Sequence, residues 1–167
     1  FLEFILAFLA LLVCCALGYR KVWVRWAALV LGIGIGVYLS CNRPQKNARR
    51  MFEQAHALHK AGEWHASIEL LEETMKVSSD AMILNIIGKN YQALGQPYLA
   101  EIWYIRSTNR LPNRIYPYYL LAKLYAEHPR YFPKEKLEWA ARMVLEKKAK
   151  VESTAIRQMR EEVKKLL

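Results

Sequence analysis

Three histidines, His56, His59 and His65, lie within ten residues of one another and are the first candidates for chemistry. His56 and His59 are spaced to share a helix face, which is how two imidazoles begin a metal site. A working site needs further ligands and groups behind them to orient the rings. No cysteine joins these three, so they read as solvent-facing. The pairs Glu72-Glu73 and Glu161-Glu162 are adjacent, so a helix points their carboxylates to different sides and denies them a joint acid–base role. Cys14 and Cys15 fall inside an apolar run and read as small packing groups, while Cys41 has no partner at a disulfide or zinc spacing. Gly32-Ile33-Gly34-Ile35-Gly36 superficially resembles a phosphate loop, but no strand precedes it. Gly32 and Gly36 fit better as the small-residue spacing that lets two membrane helices approach closely. With no nucleophile–base arrangement visible, no enzyme activity, metal or cofactor is expected within these residues.

The elements that carry these residues change character along the chain. Residues 1–17 and 22–39 are apolar runs of 17 and 18 residues, separated by Gly18-Tyr19-Arg20-Lys21. At about 1.5 Å per residue the second run covers about 27 Å, close to the thickness of a bilayer's hydrocarbon. Glu3 and Arg25 sit where long side chains reach headgroups, and Tyr19, Trp23, Trp26 and Tyr38 form an interfacial belt. Residues 1–41 therefore read as a transmembrane helical hairpin in contact with membrane lipid. Because the chain opens inside an apolar run, we read it as the C-terminal piece of a longer membrane protein. A lipoprotein signal ending at Cys41 is the rival parse; Ser40 fits it, whereas Tyr38 and the apolar run upstream do not. Sidedness is left open: Arg20, Lys21 and Arg25 favour a cytoplasmic loop, and Arg43, Lys46, Arg49 and Arg50 favour the reverse.

The net charge is +10, and Asn42 onward holds 22 Lys/Arg against 14 Asp/Glu. The basic residues are spread over every segment instead of gathered in a block. That argues against nucleic acid as a partner and for a solvated surface beside anionic lipid heads.

From Asn42 every segment reads at the helical period, with no strand-like alternation. Helices are expected over 46–60, 63–77, 81–94, 97–110, 114–127, 133–148 and 153–167. Turns fall at Gly62, at Ser78-Ser79-Asp80, at Gly95-Gln96-Pro97 and at Pro112-Asn113, with Asp80 as a cap and Pro97 in a first turn. Gly62 precedes Gly95 by 33 residues, and Gly88, Tyr91, Gly95, Tyr98, Ala100 and Pro112 keep the spacing of a tetratricopeptide unit. The expected fold is all-α: the membrane hairpin, then a tetratricopeptide-type stack of helical hairpins (units about 48–80, 81–113 and 114–150) with a capping helix over 153–167. Small residues must sit where the two helices of a unit cross. Gly88 and Ala100 fill those slots in the second unit, Ala55 and Ser67 in the first, and Ala140 and Ala141 supply one in the third. Leu84, Tyr91 and Tyr104 fill the large slots. The third unit carries an insertion at 128–132. In the last segment Ile156, Met159, Val163 and Leu166 share one face, as a terminal cap requires.

In such a stack the concave surface is lined by the first helix of each unit. By register it takes Phe52, His56, Asn85, Lys89, Gln92, Tyr116, Tyr119 and Lys123, while Tyr118 goes to the core. Lys89 and Lys123 favour a protein or peptide partner with acidic side chains or a C-terminal carboxylate. The alternative is that this groove packs on the parent's own membrane domain or stays solvated.

A family resemblance rests on longer stretches. Gly88-Lys89-Asn90-Tyr91-Gln92-Ala93-Leu94-Gly95 is followed by Leu111-Pro112-Asn113-Arg114-Ile115-Tyr116-Pro117-Tyr118-Tyr119-Leu120-Leu121-Ala122-Lys123-Leu124-Tyr125, and then by Lys150-Val151-Glu152-Ser153-Thr154-Ala155-Ile156-Arg157. This resembles the C-terminal repeat region of O-antigen ligase/polymerase-like membrane proteins of Bacteroides-type bacteria, closely over 78–167 and loosely before. The resemblance implies a bacterial inner-membrane protein with many spans and a large external loop that binds lipid-linked sugar. That loop lies outside these residues, so no catalytic residue carries over. The chain then reads as the interaction tail of a cell-surface polysaccharide ligase or polymerase, with a lean toward extracytoplasmic repeats. A standalone inner-membrane assembly scaffold is the other reading.

Overall fold

The helical period read from Asn42 onward is realised as helix among the described residues. The structure, a computed structural model, describes Val13, residues 22–78 and residues 80–167. Among the described residues there are seven helices and no strand: α1 (Val22–Ala61), α2 (Trp64–Met75), α3 (Ala81–Ala93), α4 (Pro97–Arg110), α5 (Tyr116–Glu127), α6 (Lys134–Glu146) and α7 (Thr154–Lys164). The chain divides into two compact units, Phe1–Arg49 and Arg50–Leu167.

In the first unit, α1 departs from the expected pattern. No break separates the second apolar run from the polar helix after it; residues 40–45 are helical, and Pro44 removes one backbone donor without ending the helix. Trp26, Val30, Leu31, Ile33, Ile35, Val37 and Tyr38 are all exposed, and Gly32 and Gly36 are half-buried. Among the described residues no helix is long and apolar enough to cross a membrane. The transmembrane hairpin expected over 1–41 is therefore without support in the structure. Apart from Val13, its first run lies outside the described residues, as do Cys14 and Cys15.

The second unit is a stack of helical pairs, and its crossings are set by side-chain size. Gly88 on α3 lies directly under the fully buried Tyr104 on α4; a Cβ placed on Gly88 would sit 2.4 Å from the ring's Cε1. Ala100 is buried at the same crossing. Between α1 and α2, Ala55 and Ser67 are buried together, and the Ser67 hydroxyl donates to the Ala55 carbonyl at 2.8 Å. In the third pair Ala122, Ala140 and Ala141 are buried, so α5 and α6 close up in the same way. The 128–132 insertion is absorbed because Phe132 turns inward and packs on Tyr125, ring centroids 4.9 Å apart.

Turns fall where the chain chemistry demands them. Gly62 and Gly95 adopt φ of +83° and +70°, a region that costs residues with a Cβ. The Asp80 carboxylate accepts from the Met82 amide at 3.0 Å, and Pro97 opens α4. Such a cap is worth about 1 kcal/mol.

Two apolar clusters result. One gathers Ile68, Leu71, Ile83, Ile87 and Trp103; the other gathers Tyr104, Leu121, Leu124, Tyr125, Val144 and Val163; Tyr91 packs against both. α7 contributes Val163 to the second cluster and is held by Arg160. That guanidinium donates to the carbonyls of Val144 (3.2 Å) and Lys147 (2.7 Å) and to Glu152 (2.9 Å). The Lys147 and Val144 carbonyls lie at the end of α6, where helical oxygens lack partners of their own.

Candidate functional site

The inner face is built by α3 and α5, with α1 at one side and α7 at the other. Seven of the eight residues expected on it line two adjoining hollows. The first, of about 560 Å³, is walled by Lys89, Gln92, Tyr116, Tyr119 and Lys123, with Tyr104 and Glu127 added. The second, of about 400 Å³, takes His56 and Asn85, again with Lys89 and Tyr116, and adds Asp80 and Arg114. Lys89 and Tyr116 thus belong to both. Phe52 lines neither; its ring stacks on His56 at 6.2 Å, and His56 stacks on His59 at 6.3 Å. Gly32 and Gly36 lie in the other unit.

The helical period explains the gathering. Asn85, Lys89 and Gln92 follow one another at four and three residues on α3, as do Tyr116, Tyr119 and Lys123 on α5 at three and four, so each set forms a single stripe. The lysines are not loose. The Lys89 ammonium stands 5.4 Å from the Tyr116 ring centre and the Lys123 ammonium 5.9 Å from that of Tyr119. The two rings lie 6.2 Å apart and 27° from parallel. Cation–π attraction thus fixes two positive charges above a tyrosine platform.

The chain's own acids reach one end of this face. Gln92 donates to Glu127 at 2.5 Å while accepting from the Tyr104 hydroxyl at 2.9 Å, so its side-chain amide is held on both sides. The Tyr119 hydroxyl donates to Glu162 of α7. Burial, then the bonded Glu162 carboxylate, raises the Tyr119 phenol to about 12. The reciprocal effect holds the Glu162 carboxyl below its ordinary range, through the Tyr119 bond first, then Gln158, with Lys123 assisting.

The other end holds an unpaired acceptor. Asn85 is buried, lines the second hollow, and its Oδ1 has no hydrogen-bond partner among the described residues. Leaving such a group unpaired costs about 1–3 kcal/mol, which an N–H from a bound chain would recover.

The histidines require a correction. His65 is exposed, but His59 is half-buried and its Nδ1 donates to Asn90 Oδ1 at 2.6 Å. Asn90 is fully buried and passes the link on, donating to Ser67 Oγ at 2.9 Å. Helical period alone places His59 on a face; it does not show that a buried amide 31 residues away needs its proton. His56 is half-buried, and burial, then Lys60, His59 and Lys89, lower its pKa. Among the described residues no three metal-ligating side chains come together.

Glu127 and Glu162 were missed by sequence reasoning. Glu127 was accessible to it, being four residues past Lys123 on the same stripe. Glu162 was not, because its place depends on how α7 returns to α5.

No protein-family model matches the chain, and no curated protein matches it. Solved structures do. The crystal structure of PcrH in complex with the chaperone binding region of PopB is similar at a TM-score of 0.61, with 14% identity over 73% of this chain and 95% of that one. The Sgt2 TPR domain from Aspergillus fumigatus is similar at 0.58, with 17% identity over 71% of this chain and 78% of that one. The likeness establishes the fold: an all-α helical repeat of tetratricopeptide type.

Proposed function

We propose that the chain is a membrane-anchored interaction module whose inner face binds a protein or peptide through a carboxylate. The observation that carries this is Lys89, a cation held over Tyr116 and shared by both hollows, with the unpaired Asn85 acceptor lining the same wall. A carboxylate on the lysine and a backbone N–H on the amide are the two groups that a peptide end or an acidic side chain offers together. PcrH, which shares the fold, is seen with the chaperone binding region of PopB, and that supports a polypeptide as the occupant.

The membrane part rests on the apolar runs at 1–17 and 22–39 and on the exposed apolar side chains of α1. The resemblance over 78–167 supports reading the module as the C-terminal part of a cell-surface polysaccharide (O-antigen) ligase or polymerase. In that setting the repeats face outward from the bacterial inner membrane and organise partners, while the chemistry belongs to the parent's external loop.

Two measurements test this reading. Binding of a fluorescein-labelled octaglutamate peptide, followed by anisotropy, should weaken at least tenfold in Lys89→Gln, a loss of about 1.4 kcal/mol. Equal affinity in the two proteins removes the groove from the proposal. For sidedness, a membrane-impermeant thiol reagent should label Cys41 in intact cells whose outer membrane has been made permeable. Labelling that appears only after the inner membrane is broken puts the module in the cytoplasm.

A further inference from the structure

α7 does more to the inner face than close the stack. Two of its features anchor it without involving the groove: Val163 is fully buried in the second apolar cluster, and Arg160 bonds the Val144 and Lys147 carbonyls and Glu152. Its other acid, Glu161, points elsewhere and pairs with Lys164 at 2.8 Å on the solvent side. Glu162 alone turns to the groove. One carboxylate oxygen accepts from the Tyr119 hydroxyl and the other from Gln158 Nε2 at 3.0 Å. Lys123, its ammonium 5.9 Å from the Tyr119 ring centre, forms no ion pair with that carboxylate but adds to the positive field that favours its charged form. An acid from the chain itself is therefore bonded to Tyr119 at one end of a face on which neither Lys123 nor Lys89 forms an ion pair among the described residues.

We propose that Glu162 is a built-in competitor for the groove's ligand. Its carboxylate occupies the Tyr119–Lys123 end of the inner face, and an acidic partner reaches that end only by displacing it. This rests on the carboxylate-binding reading of the groove. The competition is intramolecular, so its effective concentration is set by the docked helix and stays high. The consequence is selectivity. A partner with one carboxylate takes Lys89 and leaves Glu162 in place. A partner with several acids in a row gains the second cation only by displacing a resident one. Glu127 works in the same sense from the neighbouring position, engaging Gln92. α7 itself stays docked during the exchange, because Val163 and Arg160 hold it whether or not Glu162 is seated.

The test uses the full chain and the labelled octaglutamate peptide, with Glu162→Gln, Glu161→Gln and Lys89→Gln compared to the parent. Glu162→Gln should raise affinity about fivefold. Glu161→Gln makes the same change in net charge outside the groove and should leave affinity unchanged. A second readout needs no ligand: with tyrosine labelled at 13Cζ, Tyr119 should titrate at lower pH in Glu162→Gln, since the carboxylate that favours its neutral phenol is gone. Unchanged or weaker binding in Glu162→Gln overturns the inference, and so does an equal gain in Glu161→Gln. Lys89→Gln keeps the two ideas apart, since full binding in that variant rejects the groove reading alone. In that event the Tyr119 titration still decides: a shift keeps Glu162 as the occupant of that end, and no shift removes it.

Discussion

Gly88→Leu is expected to lower stability by about 3 kcal/mol or more, placing it among the most damaging single changes this fold can suffer. The reason is geometric. Even a methyl group at position 88 meets Tyr104 Cε1 at 2.4 Å and Cδ1 at 2.6 Å, far inside contact distance. Tyr104 cannot yield, because its ring is fully buried and its hydroxyl is bonded to Gln92. Relief must come from moving α3 away from α4, which opens the centre of the stack where the two apolar clusters meet at Tyr91. In a unit of this size 1 kcal/mol shifts the midpoint by about 4 °C, so the melt should fall by roughly 10 °C or more. Thermal unfolding followed by circular dichroism at 222 nm reads this directly. Combining Gly88→Ala with Tyr104→Leu should recover part of the loss suffered by Gly88→Ala alone, since the smaller side chain makes room for the Cβ. If Gly88→Leu melts with the parent, the close approach at this crossing does not exist.

The same substitution shows why this part of the fold was legible in the sequence. A helix crossing that needs a missing side chain leaves a glycine at a fixed distance from the turns, and turns leave Gly95, Asp80 and Pro97 at theirs. Each of these acts locally, through a left-handed φ, a cap or a locked first turn, so α3 and α4 fall within a residue of where periodicity puts them. Register then fixes which side chains share the inner stripe, and Asn85, Lys89, Gln92, Tyr116, Tyr119 and Lys123 follow without any knowledge of packing. What was not legible depends on distant pairs. His59 meets Asn90 across 31 residues, and Tyr119 meets Glu162 across 43. No local pattern marks either, since a helix surface carrying a histidine or a glutamate looks the same whether or not another helix arrives to bond it. The start of α1 failed for the opposite reason. The change from apolar to polar composition after Leu39 reads as a boundary, yet one helix runs from Val22 to Ala61.

Removing residues 153–167 is expected to have the largest effect of any change at the end of the stack. A repeat array leaves its last hairpin with an apolar face, and that face must be covered by something with a polar back. α7 meets both conditions. Val163 is fully buried and Ile156 packs against the same cluster, while Arg157, Glu161, Lys164 and Lys165 are turned to solvent. Its loss withdraws Val163, whose full burial is worth about 1.5–3 kcal/mol, and uncovers part of the second apolar cluster, to which Val144 of α6 belongs. It also withdraws Arg160, whose bonds to the α6 carbonyls are charge-assisted and worth about 1.5–3 kcal/mol. The carbonyls themselves lose little, because water replaces the guanidinium. The apolar face has no such substitute and will seek another copy. In the same detergent as the parent, the truncated chain should therefore elute as larger species and melt several degrees lower. Two point variants apportion the effect. Val163→Ala should cost on the order of 2 kcal/mol through the cavity it leaves, and Arg160→Ala less, with neither changing the elution volume. A truncated chain that remains monodisperse and melts with the parent would show that the sixth helix needs no cover, and the assignment of α7 as the cap would fall with it.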